Sequence, residues 1–155
     1  MNIFTKILIC ALFIGSFYAC EKDKDFSDIP ELTFRDFQRT SPSSAIWKVG
    51  FKDGDGDVGL IDIGDTTKDD NFIVTIFSIK DGLDSAMQGQ NYRVPVVENI
   101  RTAAGIEGEI KLDITGLDVF KLIQSPKIDS IFYRGYLIDR KGNQSNSVET
   151  SRIKI

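Results

Sequence analysis

The sequence contains no histidine. That absence removes Ser-His-Asp and Cys-His catalysis and the usual zinc sites, all of which need an imidazole. Cysteine is nearly absent too, with only Cys10 and Cys20. No P-loop and no dinucleotide fingerprint is present. Basic charge is not in excess: 19 Lys and Arg stand against 23 Asp and Glu, a formal net charge of −4. Nucleic acid selects basic surfaces, and anionic lipid attracts them, so no nucleic-acid partner is expected and no electrostatic adhesion to a membrane. There is no internal repeat, no low-complexity tract and no apolar run that spans a bilayer comfortably.

What is present begins with MNIFTKILICALFIGSFYAC. Lys6 precedes an apolar run from Ile7 to Phe17, which has the proportions of a signal-peptide core. The run ends in Phe17-Tyr18-Ala19-Cys20, and a small residue followed by cysteine here resembles a lipobox. Phe17 and Tyr18 depart from that pattern, which usually carries Leu and a small residue. Ordinary cleavage near Ala19 and an uncleaved anchor are the alternatives. On the lipobox reading residues 1–19 are a lipoprotein signal peptide and Cys20 is the lipidation site. Cys10 leaves with the signal, so the mature domain has neither free thiol nor disulfide. Lys6 leaves as well, so 18 basic residues face 23 acidic ones and the mature formal charge is −5. Residues 20–30 then form a lipidated cysteine and a solvated acidic tether, EKDKDFSDIPE being charged and poor in apolar residues. A diacyl or triacyl anchor holds the chain on a membrane far better than one acyl chain. The acidic and lysine residues directly after Cys20 resemble a surface-export signal; a plain hydrophilic spacer fits equally.

Residues 31–155 are one domain, and about 130 residues suffice for a sizeable core. Apolar residues recur there with period two. In IEGEIKLDIT, residues 106–115, Ile106, Ile110, Leu112 and Ile114 share one face and charged residues take the other. In AIWKVGFK, residues 45–52, Ala45, Trp47, Val49 and Phe51 share a face, which makes Trp47 a core residue. FIVTIFSI, residues 72–79, is nearly continuous in apolar and β-branched residues, as in a central strand. Shorter candidate strands are 31–38, 91–97, 130–139 and 147–155. One segment, GLDVFKLIQ at 116–124, spaces Leu117, Phe120 and Ile123 as one or two helical turns. About seven short strands without crossover helices predict an all-β, antiparallel β-sandwich of Ig-like or fibronectin type; a small β-barrel is the alternative.

The stretch that stands out chemically is FKDGDGDVGL, residues 51–60. Calcium takes roughly six to eight oxygen ligands, and carboxylates at alternate positions converge where glycines let the chain curl. Asp53, Asp55 and Asp57 are the first candidate ligands, with Asp62 and Asp65 beyond them. The loop is not an EF-hand, because Val58 and Gly64 stand where that motif needs glycine and a bidentate glutamate. In an Ig-like sandwich the loop after the sixth strand emerges at the same end, so Asp139 and Asn143 could complete the site. Arg140 and Lys141 could instead pair with the aspartates and replace the ion. Two further readings stay open: an acidic turn, since Gly, Asp and Asn are ordinary turn residues, and an acidic contact surface. Against a plain turn, charges a few ångströms apart repel by about 1 kcal/mol per pair even in water. Carboxylate pairs also serve glycosidases, but a glycine loop offers nothing obvious to separate the pKa values of neighbours.

The DGDGD loop and YLIDRKGNQSNSVET, residues 136–150, together resemble a group of small Bacteroidota lipoproteins. These share a lipobox, an acidic loop after the second strand and a D-x-x-G-N-x-S-N hairpin near the C-terminus. The resemblance covers nearly the whole chain. It implies an Ig-like lipoprotein of the bacterial outer membrane, at its periplasmic face or on the cell surface, with no assigned activity.

Asp84-Ser85-Ala86, Asp65-Thr66-Thr67 and Asp129-Ser130-Ile131 match a short O-glycosylation pattern, and Ser85, in an expected loop, is the best candidate. Asn143-Gln144-Ser145 has the N-glycosylation spacing, which a bacterial lipoprotein does not favour. The function expected is therefore a lipid-anchored, non-enzymatic cell-envelope module for adhesion, scaffolding or accessory binding of a protein or glycan, stabilised by calcium at its acidic loop. The alternative is a carbohydrate-binding accessory lipoprotein that uses an exposed face built from Tyr92, Tyr133 or Tyr136.

Overall fold

A computed structural model describes residues 26–60, 70–87, 89–95, 101, 102, 104–117 and 128–154. Cys20 and the signal segment, Asp62, Asp65 and most of the expected helix at 116–124 lie outside the described residues. Nine strands are present among them: β1 Glu31–Arg39, β2 Ser44–Asp53, β3 Phe72–Lys80, β4 Leu83–Met87, β5 Arg101–Thr102, β6 Gly105–Thr115, β7 Ser130–Leu137, β8 Val148–Glu149 and β9 Ile153–Lys154. They form two antiparallel sheets, β1-β2-β6-β5 and β4-β3-β7-β8, with β9 also on β7. This is the strand order of an Ig-like sandwich.

The differences from the expected strands have local causes. Strands β8 and β9 pair with opposite ends of β7, and Thr150 fills the gap with its own backbone and hydroxyl bonds to Tyr133. The expected strand at 147–155 is thus interrupted. Residues 91–95 make only isolated bridges, Tyr92 to Phe72 and Pro95 to Leu60, because Pro95 has no N–H to extend a ladder. β4 and β5 are additional. β4 follows a two-residue turn at Asp81 (φ 50) and Gly82 (φ 79), the Asp-Gly pair that a tight hairpin favours. Ser85 therefore sits exposed on an edge strand, not in a loop. Gly116 (φ 75) and Leu117 make a turn at the end of β6.

The core lies between the sheets and follows the period-two pattern. Ala45, Trp47, Val49 and Phe51 of β2 are buried opposite Phe72 and Val74 of β3 and Ile131, Tyr133 and Leu137 of β7. β6 adds Ile106, Ile110, Leu112 and Ile114 while Glu107, Glu109, Lys111 and Asp113 face outward. Trp47 and Phe72 meet edge to face, with ring centres 5.9 Å apart, a favoured aromatic geometry. They need space from β7, and Gly135 supplies it. A Cβ at Gly135 would lie 2.6 Å from Phe72 Cε1 and 3.1 Å from Trp47 Cη2.

The loop after β2, the hairpin after β7 and the start of β1 all gather at one end. Of the expected tether, residues 26–30 are described, and they lie against that end while Ser27, Asp28 and Ile29 keep exposed side chains. Phe26 N–H donates to Ala104 O, Gly54 N–H donates to Ser27 O, and Pro30 is fully buried. Composition foretells the polarity of these side chains but not that their backbone finds partners. The packing around Gly135 makes a test with a definite sign. Valine ordinarily suits a strand better than glycine, yet Gly135→Val is expected to lose about 1–3 kcal/mol in denaturant unfolding, through overpacking against Trp47 and Phe72.

Candidate metal centre

Asp53 is the last residue of β2. It occupies the next inward position after Ala45, Trp47, Val49 and Phe51, and strand alternation therefore points its carboxylate into the molecule. It is 0 % exposed. The chain then curls through Gly56 (φ 74) and Gly59 (φ 90), a left-handed backbone that glycine adopts freely. Val58 tucks into the core, and Asp57 is 7 % exposed. The curl brings oxygens of Asp53, Asp55 and Asp57 within 4.8 Å of one another.

Hydrogen bonding does not account for this burial. Asp57 N–H donates to Asp53 Oδ2 at 2.8 Å. Asp53 Oδ1 and both carboxylate oxygens of Asp57 are buried with no hydrogen-bond partner. A buried carboxylate without donors is costly unless a positive charge compensates it. Burial pushes the Asp53 carboxyl above 3.8. Burial, and then the charges of Asp139, Asp55 and Asp53, push Asp57 up to about 6. Asp55 moves the other way, because the Lys141 ammonium bonds its Oδ2. Neighbouring carboxyls of one glycine loop are thus driven apart, contrary to the sequence expectation; burial raises Asp53 and Asp57 and the Lys141 bond lowers Asp55, and the loop composition reveals neither.

The hairpin after β7 supplies two cations with different tasks. Lys141 pairs with Asp55. Arg140 caps the loop backbone: its N–H donates to Asp57 O at 3.3 Å, and its guanidinium donates to Gly59 O at 3.1 Å and Gly56 O at 3.5 Å. Neither donates to the buried oxygens of Asp53 Oδ1 or Asp57.

The D-x-x-G-N-x-S-N motif is mainly a brace. Asp139 accepts from Asn143 N–H at 2.7 Å and from Asn143 Nδ2 at 2.8 Å. Gly142 (φ 89) turns the chain. Ser145 Oγ accepts Leu137 N–H at 2.9 Å. Asn146 accepts Leu32 N–H at 2.7 Å and donates to Leu32 O at 2.9 Å, which ties the hairpin to β1. Of the expected ligands, Asp53, Asp55 and Asp57 come together. Asp139 adjoins them, and its charge bears on Asp57, but both its oxygens are held by Asn143. Asn71 was not anticipated: 3 % exposed, it accepts Val94 N–H at 2.7 Å, and Val94 O accepts Leu60 N–H at 2.9 Å.

The tyrosines do not form an exposed platform among the described residues. Tyr133 is 2 % exposed, Tyr136 is half-buried on the opposite face of β7, and the Tyr92 hydroxyl donates to Asp113 O at 3.3 Å. The all-oxygen cluster is chemically suited to a hard divalent cation. No protein-family model, curated protein or solved structure matches the chain.

The raised carboxyls set a pH dependence. In metal-free protein the folded state holds protons on Asp57 up to about 6, whereas the unfolded state releases them near 3.8. The contribution of Asp57 to stability is then fully present below about pH 4 and is lost as pH rises through about 6. Thermal melts of metal-free protein between pH 4.5 and 7 are expected to show this fall, and Asp57→Asn to flatten it. A melting temperature that rises across this window would contradict the burial account.

Proposed function

We propose that this protein is a lipid-anchored, non-enzymatic β-sandwich module of the bacterial cell envelope, with calcium bound at the end where the chain enters the domain. The observation that carries the ion is the burial of Asp53 Oδ1 and both Asp57 oxygens without donors. Oxygen ligands on a flexible glycine loop suit calcium, whereas magnesium demands near-octahedral geometry and keeps its waters. Zinc ordinarily recruits imidazole or thiolate, and the sequence has no histidine. The anchor rests on the lipobox-like sequence ending in Cys20. The resemblance to Bacteroidota lipoproteins supports the outer membrane as the protein's location, on the periplasmic face or at the cell surface.

The same burial speaks for a structural role of the site. Asp53 and Asp57 are 0 % and 7 % exposed, so a substrate has little access to either carboxylate. Adhesion, scaffolding or accessory binding of a protein or glycan fits such a domain. Each uses the sandwich as a spacer or platform whose loop end is stiffened by the ion.

Thermal unfolding of the full chain in detergent, first metal-free and then in rising calcium, tests the ion. Calcium at about a hundred times its Kd is expected to add nearly 3 kcal/mol. Asp53→Asn/Asp57→Asn should abolish the shift, and magnesium should produce a smaller one. No shift up to millimolar calcium would refute the calcium site. Cys20→Ser is expected to move the protein from the membrane fraction to the soluble fraction; unchanged membrane retention would refute the lipid anchor.

A further inference from the structure

Gly54 lies between two of the clustered aspartates, and it is also where the N-terminal segment docks. Its N–H donates to Ser27 O at 2.8 Å. The approach is close: a Cβ at Gly54 would lie 2.3 Å from Phe26 O. On the other side, Gly105 (φ 128) packs so tightly that its Cβ would lie 2.3 Å from Asp53 O and 2.8 Å from Gly54 Cα. Phe26 N–H donates to Ala104 O at 2.8 Å, beside that same glycine. Lys52 Nζ sits 5.0 Å from the centre of the Phe26 ring. Segment 26–28 is therefore held against the backbone of the stretch whose carboxylates form the cluster.

We infer that a divalent cation at Asp53, Asp55 and Asp57 clamps Phe26–Asp28 onto the sandwich, so that ion occupancy sets how rigidly the domain is joined to the chain leading back to Cys20. The inference rests on the cation reading of the cluster. Ser27, Asp28 and Ile29 are exposed, so the docking depends on backbone bonds more than on buried area. Those bonds are as strong as the Gly54 peptide is well placed. Carboxylates that repel one another on both sides of Gly54 loosen it, and an ion that draws them together fixes it. The Lys141 ammonium pairs with Asp55 at the same end.

The coupling is reciprocal, because two binding events that favour one state must favour each other by the same factor. Hydrogen exchange read by mass spectrometry on the full chain in detergent, metal-free and calcium-saturated, measures one side. Calcium titration of Phe26→Ala against the parent chain measures the other. Calcium is expected to slow exchange of the Phe26 and Gly54 amides at least tenfold. Phe26→Ala, which loses the Lys52 contact and touches no ligand, is expected to raise the calcium Kd several-fold. Calcium binding with unchanged exchange at residues 26–28 and an unchanged Kd in Phe26→Ala would overturn the clamp and leave the ion site standing. Absence of calcium binding to the parent chain would overturn both.

Discussion

Carboxylate oxygens driven into a protein interior without donors need a compensating charge or a proton, and this constraint bears on the whole loop end of the sandwich. It originates in strand β2. The inward row of Ala45, Trp47, Val49 and Phe51 secures the core against Phe72 and β7. The next position in that row is Asp53. Hydrophobic burial of the four apolar side chains, worth roughly 1.5–3 kcal/mol for each of the larger ones, holds the strand in register. Asp53 is carried inward with them. The loop then has to satisfy a charge that the fold has already buried, and the turn through Gly56 and Gly59 brings Asp55 and Asp57 to the same place. That turn converges charge where an ordinary turn would spread it.

Two motifs that read alike in sequence, both rich in Gly, Asp and Asn, divide the work. The hairpin at 139–146 satisfies its own polar groups: Asp139 is bonded by Asn143, Ser145 by Leu137, and Asn146 by Leu32. It is a rigid wall. The loop at 53–57 leaves buried oxygens unbonded. A satisfied network and an unsatisfied one placed side by side argue for different roles, because buried polar groups are normally paired. Arg140 stitches the two together through backbone carbonyls, so the wall positions the loop without neutralising it.

The two-sheet fold was legible because its central strands alternate cleanly. β2 and β6 start and end within a residue of the apolar pattern. The small elements were harder. β4 contains no β-branched residue, and only the Asp81-Gly82 pair announced it. The chemistry was half legible. Alternating aspartates and glycines pointed to a cluster, and the row from Ala45 to Phe51 already implied that Asp53 faces inward. Its burial, and the opposed pKa shifts that follow, needed that row to be continued past the end of the apolar pattern. The docking of Phe26 and Ser27 was illegible in principle, since it runs through backbone groups that every residue carries. The tie from Asn146 to Leu32 spans 114 residues, and no local pattern encodes such a distance.

Lys141 is the obvious rival to a metal as counter-ion, but its energetics argue otherwise. It reaches Asp55 from the exposed hairpin, with 61 % of its side chain still accessible. An ion pair whose cation stands in solvent is weak, because water competes and the long side chain must be immobilised. A divalent cation with several oxygen ligands displaces it at small cost. Lys141 moreover meets the most accessible of the three aspartates, while Asp53 Oδ1 and both Asp57 oxygens stay unbonded. Its effect is to keep the metal-free loop from carrying the full repulsion of its carboxylates. The sandwich core around Trp47 and Phe72 takes only Val58 from the residues that follow Asp53 in that loop. If the acidic cluster holds the proposed ion, the consequence of binding falls where Phe26 and Ser27 meet Gly54.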